Sequence, residues 1–325
     1  MSQNINRREF IRGSLLATAG SALGLGGAAA GAERQPAEPP RIGPRGGDCP
    51  QGKIGKLQLS RLIMGSNLIT FNIHGRDLPY VNNLARHYNT AEKILDTLAL
   101  AESHGINTIM TQADERYLGL LQKHRRQRGG KLQWLVAPPI TGQPEEDRTA
   151  IRKLADEGAD AMYIHGLRAD TFCFHGKRDL IVRTLDLIKQ NDLPAGVAGH
   201  DLNVIKFCEQ NNVGADFYVK TFHHHDYPTA PRPEQLKMPY AEMPGYWCQN
   251  PAETAEVMRG VKAPWIAFKV MAAGAIPPDS AFPYAFQHGA DFVLAGMFDF
   301  EIAEDVKLAR AAVAAAARRK RPWCG

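Results

Sequence analysis

From residue 53 onward, apolar runs of four to seven residues alternate with amphipathic stretches, and this alternation predicts the elements. Short β-prone runs at 61–65, 108–111, 133–137, 161–165, 195–199, 217–222, 265–271 and 292–295 read as buried strands. Between them, 91–104, 147–157, 177–190, 204–211, 252–261 and 281–288 carry helical spacing, and 303–319 follows the last run. Eight strands, each followed by a helix-length segment, predict a single-domain (β/α)8 TIM barrel over residues 53–325. A doubly wound sheet is the competing architecture. It would carry a Gly-rich phosphate loop after its first strand, and Gly65-Ser66-Asn67-Leu68 is not one.

Local punctuation supports the same division. Gly158-Ala159-Asp160, Gly214-Ala215-Asp216 and Gly289-Ala290-Asp291 each open an apolar run, and Gly105-Ile106-Asn107 opens another. Asn250-Pro251-Ala252-Glu253 is a helix start: an N-cap, proline at the first helical position and glutamate at the third. The longest insertion, 227–249, is rich in proline and aromatic residues and reads as a rim or lid.

The chain's first 32 residues fit no barrel element. Arg7-Arg8-Glu9-Phe10-Ile11-Arg12, a weakly apolar Gly/Ala run and Ala30-Gly31-Ala32 read as a twin-arginine signal peptide, 1–32, with its cleavage site. This predicts export by the Tat machinery to a periplasmic or extracellular location. Residues 33–52, rich in Pro, Gly and Arg, read as a linker. Apolar residues make up 44% and charged residues 22%, normal for a globular core. The net charge of +5 owes much to Arg7, Arg8, Arg12 and Arg318-Arg319-Lys320-Arg321. That terminal cluster reads as a solvated helix end, so no nucleic-acid partner is expected. Five cysteines lack metal-ligand spacing; Cys49 and Cys324 are a conceivable disulfide pair in an oxidising compartment.

Chemistry in a barrel gathers where strands end. Three successive strands end in histidine: His165, His200, and His223-His224-His225 followed by Asp226. Converging imidazoles with a carboxylate would suit a divalent metal, zinc or manganese, with His200, His223, His225 and Asp226 as ligands and His165 as a ligand or base. Asp114, Asp299 and Glu301 are further carboxylate candidates. Period-2 alternation places Lys220 with Tyr218 and Phe222, and Lys269 with Ala267 and Met271. If those faces point inward, the two lysines meet, as a Schiff-base amine or as anchors for an oxyanion. Small residues around Gly274 and Gly296 mark a candidate anion or cofactor site, and Phe298 and Phe300 a wall for a sugar face.

Several stretches resemble the aldo/keto reductases. Gly55-Lys56-Leu57-Gln58-Leu59-Ser60-Arg61-Leu62-Ile63-Met64-Gly65 looks like their opening segment. Gly105-Ile106-Asn107-Thr108-Ile109 with the later Gly119, Tyr163-Ile164-His165, and the stretch from Ala195 to Asp201 are similar to their second, fourth and fifth strand regions. The resemblance implies a (β/α)8 barrel, NADPH as cofactor and carbonyl reduction, with His165 at a catalytic position. Of that family's other catalytic positions, Met110 replaces the aspartate, Tyr117 falls about two residues late, and Val136-Ala137-Pro138 lacks the lysine.

The resulting expectation is metal-assisted acid/base chemistry, as an isomerase, epimerase or lyase, on a small, polyhydroxylated, carbohydrate-like substrate. Lys220 and Lys269 would stabilise an enolate-like oxyanion, with His165 and Asp114 beside them. Two alternatives stay open: a divergent NADPH-dependent oxidoreductase, and a ligand-binding barrel without catalysis.

Overall fold

In the computed structural model, residues 49–75, 78–236 and 248–325 are described. The signal peptide, most of the linker and the centre of the 227–249 insertion lie outside them. Eight parallel strands close a barrel in sequence order: β3 (Leu62–Gly65), β4 (Thr108–Gln112), β5 (Gln133–Ala137), β6 (Ala161–Ile164), β7 (Ala195–Gly199), β8 (Phe217–Thr221), β9 (Trp265–Phe268) and β10 (Phe292–Gly296), which pairs back onto β3. A hairpin, β1 (Gln51–Ile54) with β2 (Leu57–Ser60), precedes it, so Gln51 and Gly52 are strand rather than linker. Ile54 and Leu59 pack with the barrel-interior residues Phe217 and Phe292 and plug the N-terminal end.

Helices α1 (Pro79–Tyr88), α2 (Ala91–Ser103), α3 (Glu115–Gln127), α4 (Pro144–Asp156), α5 (Gly166–Phe174), α6 (Asp179–Lys189), α7 (Leu202–Gln210), α8 (Pro251–Gly260), α9 (Pro278–Gln287) and α10 (Ile302–Ala315) surround the strands. Two apolar layers result. Ile63, Met110, Leu135, Tyr163, Val219 and Ile266 fill the interior. Leu62, Ile109, Trp134, Met162, Val197, Tyr218 and Trp265 face the helices, as period-2 alternation requires.

The repeated Gly-Ala-Asp segment has one structural job. Its glycine leaves the preceding helix at positive φ (97° at Gly158, 73° at Gly214, 112° at Gly289), a region that disfavours other residues. Its aspartate then accepts a hydrogen bond from an amide at the start of the neighbouring strand, the first or second residue. Asp160 takes Trp134 N at 2.7 Å, Asp216 takes Ala195 N at 2.8 Å, and Asp291 takes Trp265 N at 2.9 Å. Asn107 accepts instead from Ser60 N, at the end of β2, at 2.7 Å.

The basic C-terminus corrects the sequence reading. Arg319 and Arg321 both pair with Asp291, at 2.7 and 2.6 Å, and all three side chains are at most 1% exposed. Arg61 donates to the Asp291 and Gly325 carbonyls, and the Trp323 ring lies against Arg61 and Arg319. Arg319 and Arg321 form a buried clamp because Asp291 supplies the counter-charge that a solvated helix end lacks, while Arg318 and Lys320 stay exposed. Cys49 and Cys324 do not form the conceivable disulfide; the five cysteines are free thiols.

Candidate active site

Register carries the interior face up to the C-terminal rim. It runs from Ala161 and Tyr163 to His165, from Gly196 and Ala198 to His200, from Phe217 and Val219 to Thr221, and from Ile266 to Phe268. His165 caps α5 and His200 precedes α7, so both histidines are placed by strand-to-helix turns.

His200 is held most firmly. Asp170, one helical turn into α5, accepts His200 Nδ1–H at 2.7 Å, His200 N at 3.0 Å and Asp201 N at 3.0 Å. This fixes the tautomer and leaves Nε2 as an acceptor. Gly166 makes room for the ring: a Cβ there would stand 2.9 Å from His200 Cε1. Burial pushes the His200 pKa down, Asp170 opposes this, and Lys269 pushes it down further. The imidazole is therefore neutral at neutral pH and able to take a proton.

Lys269 reaches the same mouth through a distorted backbone. Regular alternation would send it outward with Trp265 and Ala267. Instead β9 stops at Phe268, short of the expected 271, and Lys269 adopts φ 57°. Ala272 (φ 46°) and Ala273 (φ 57°) follow in the same region. Each such non-glycine residue costs on the order of 1–3 kcal/mol, and strain of this kind concentrates at functional sites. Lys269 Nζ lies 3.4 Å from His74 Nε2, on the loop after β3. Burial first, then Lys269, then His200 lower His74 to about 4. Burial, then His200, then Lys269 lower His165 to about 4. Lys269, His74, His165 and His200 thus share one electrostatic neighbourhood, with Asp170 as the carboxylate behind it. The Thr221 hydroxyl, on the inward face and buried, has no partner among the described residues.

Other expected residues are employed elsewhere. Lys220 shares its face with Tyr218, whose hydroxyl donates to Glu209 of α7, and with Phe222, which stacks on Tyr284 of α9. That face looks toward the helices, so the two lysines do not meet on an inward surface; Lys220 Nζ donates to Thr221 O at 3.0 Å. Both nitrogens of His223 are engaged: Nδ1–H donates to Lys269 O at 2.9 Å, and Nε2 accepts Cys248 N–H at 3.1 Å. His223 braces the strained Lys269 carbonyl. His225 Nε2 donates to Cys248 O, and Asp226 is exposed. Asp114, also exposed, caps α3 through Arg116 N and Tyr117 N. Glu301 accepts from Phe298 N, and Asp299 accepts from Tyr88 and Lys93. The Gly274 amide is used within its turn, donating to Met271 O, and Gly296 ends β10 on the inward face opposite Gly65.

These placements test the two expected cofactors. A metal would need free imidazole lone pairs, which His223 lacks, and among the described residues no three His, Cys, Asp or Glu side chains converge to hold one. The donor set does not fit a metal. Nor do the remaining positions implied by the reductase resemblance fit hydride chemistry. Met110 is a buried interior residue, β5 runs out at Ala137 and Pro138, and Tyr117 is buried against Phe71 with ring centroids 6.1 Å apart. Burial pushes the Tyr117 hydroxyl upward, away from ready proton donation.

Sequence reasoning missed Asp170, His74 and Thr221. Asp170 had one faint signal, its place one turn into a segment opening directly after His165. An isolated loop histidine and a strand threonine had none.

Barrel and rim together place the chain in a structural class. It has the (β/α)8 fold of the aldo/keto reductase structures. It resembles two solved structures from Pseudomonas aeruginosa, each described as that of a provisionally assigned aldo-keto reductase. One is 20% identical, with a TM-score of 0.55, covering 81% of this chain and 94% of that one. The other is 18% identical, with a TM-score of 0.54, covering 81% and 96%. At such identity the likeness is one of fold. No family model and no curated protein matches the chain.

Proposed function

We propose that this barrel is an acid/base enzyme, an isomerase, epimerase or lyase, acting beside a carbonyl or carboxylate of a small polyhydroxylated compound. The observation that carries this reading is the buried His200–Asp170 dyad, opening on a mouth whose other polar groups are Lys269, His74, His165 and Thr221. His200 Nε2 takes a proton from the substrate carbon, and Asp170 stabilises the imidazolium that forms. Electron density moves onto the substrate oxygen, where the Lys269 ammonium and the neutral imidazole donors stabilise the oxyanion in a water-poor site. The proton returns on the same or the opposite face in an isomerisation or epimerisation, or a β-substituent leaves in a lyase reaction. The scheme draws on neither a metal nor a nicotinamide, since among the described residues no three metal-ligating side chains converge and the reductase positions Met110, Tyr117 and Ala137 do not supply hydride chemistry. We further infer from the twin-arginine pattern that the enzyme is exported by the Tat machinery.

The test is proton exchange in D2O, followed by NMR on a panel of sugar acids and ketoses. Wild-type protein should exchange the hydrogen next to the carbonyl or carboxylate, and His200→Gln should slow this by roughly 10²–10⁴-fold. Exchange that persists unchanged in His200→Gln would remove the dyad from the mechanism. NADPH consumption with a carbonyl substrate would restore the oxidoreductase reading.

A further inference from the structure

The turn after β10 holds a second constellation, separate from the dyad. Phe298 and Phe300 stack with ring centroids 5.4 Å apart and planes 10° from parallel. Tyr88 stands edge-on to both, at 5.7 and 6.2 Å. Between the two phenylalanines in sequence, Asp299 accepts hydrogen bonds from the Tyr88 hydroxyl (2.7 Å) and Lys93 Nζ (2.5 Å). Burial pushes the Asp299 carboxyl upward, but those two bonds outweigh it and keep the group below the usual carboxylate range. Glu301 closes the turn from the other side: its carboxylate accepts from Phe298 N at 2.7 Å, and its amide donates to Phe298 O at 3.0 Å.

Phe300 is thus anchored on both sides and yet 69% exposed. A phenyl ring fixed in water gives up the burial that normally holds it, and a persistent apolar face of this kind marks a contact surface. Its location is specific. β10 lies between β9, which leads to Lys269, and β3, whose following loop carries His74, and those two residues touch across it. The aromatic step therefore adjoins the mouth at the end where strands finish. A ligand seated there must offer an apolar face to a phenyl ring and hydroxyls to a carboxylate, a phenol and an ammonium at its edge. A pyranose ring has both: its apolar face suits the phenyl ring, and its hydroxyls suit the partly exposed Lys93 ammonium and Asp299 carboxylate, which have hydrogen-bonding capacity beyond the bonds they make to each other and to Tyr88.

We infer that Phe300, Phe298 and Asp299 form a sugar subsite on the rim, and that the substrate is an oligosaccharide or glycoside. One residue of it reacts at His200 while the next stacks on Phe300. The first placement rests on the proposed function; the second stands on the rim geometry alone. Saturation-transfer NMR and calorimetry on a broad set of neutral disaccharides and their monosaccharides would test it, using wild type, His200→Gln, Phe300→Ala and Phe300→Trp. The expected result is disaccharide binding to wild type, His200→Gln and Phe300→Trp. Binding should weaken about tenfold or more in Phe300→Ala, while monosaccharide binding is unchanged. Because His200→Gln retains the subsite, loss of the proton-transfer reading would leave this result standing. Equal disaccharide affinity in Phe300→Ala and wild type overturns the inference, as does a panel in which no disaccharide binds better than its monosaccharide. So does a change of oligomeric state in Phe300→Ala by sedimentation. That would assign the face, with the exposed Tyr80 and Leu84 of α1, to a protein partner.

Discussion

The two ends of the barrel both gather charge in buried surroundings, and they settle it in opposite ways. At the N-terminal end Asp291 accepts from Arg319, Arg321, Trp265 N and Cys324 N, while Arg321 also donates to the carbonyls of Met258, Val261, Ala263 and Gly289. One carboxylate there offsets two guanidinium groups, and most of their donors meet an acceptor. At the C-terminal end Lys269, His74, His165 and His200 face one another with Asp170 behind them, and the imidazoles stay neutral through burial and mutual repulsion. Buried charge whose donors are mostly bonded holds a fold together. Donors gathered in excess around a mouth are what an electron-rich ligand requires.

The contrast can be broken most severely at the closed end. Asp291→Asn strips the counter-charge from two buried guanidinium groups and should lower stability by about 3–5 kcal/mol, read from the midpoint of urea unfolding. A midpoint within error of wild type would mean the clamp contributes little.

Acid should act mainly through the open end. Burial lowers His223 to about 3 and His74 and His165 to about 4, against 6.5 for the unperturbed group. Below pH 6.5 the unfolded chain binds protons that the folded protein refuses. Stability should therefore be constant above that value and fall as the pH drops toward 4. The slope is up to about 1.4 kcal/mol per pH unit for a fully buried group such as His223. His223→Asn should flatten the profile between pH 6 and 4 in urea titrations. An unchanged slope would show that His223 titrates normally in the folded state.

Lys269→Gly sharpens the division between strain and stability. Glycine accepts φ 57°, so the variant should be as stable as wild type or about 1 kcal/mol more stable by thermal unfolding, while proton exchange is lost. A marked destabilisation would make Lys269 a structural residue.

Asp114→Ala should have the mildest consequence. It removes the α3 N-cap and should cost about 1 kcal/mol without changing ligand binding or exchange. A loss of exchange would return Asp114 to the site.

Much of the fold was legible because its signals are local. The three Gly-Ala-Asp segments announced three strand beginnings, since a left-handed helix exit and an amide-capping side chain must sit side by side in sequence. The β1–β2 hairpin was missed because its burial comes only from the barrel floor it plugs. At the rim, His165 and His200 stand at strand ends as the strand-end rule expects, whereas His223 bonds Lys269 O and Cys248 N and Asp114 caps a helix. A strand end says where a side chain begins, and only its neighbours say what it is bonded to.

The sequence by itself determined a barrel of eight strands, their order, and a rim rich in histidine, because period, turn chemistry and strand-end position are properties of consecutive residues. Tertiary structure decided which of those histidines is oriented for chemistry, since Asp170 and His200 are thirty residues apart and meet only when α5 packs beside β7. It also turned Lys220 toward the helices and Lys269 into the mouth. One residue of left-handed backbone reverses the direction that alternation assigns to a side chain, and no local pattern records it.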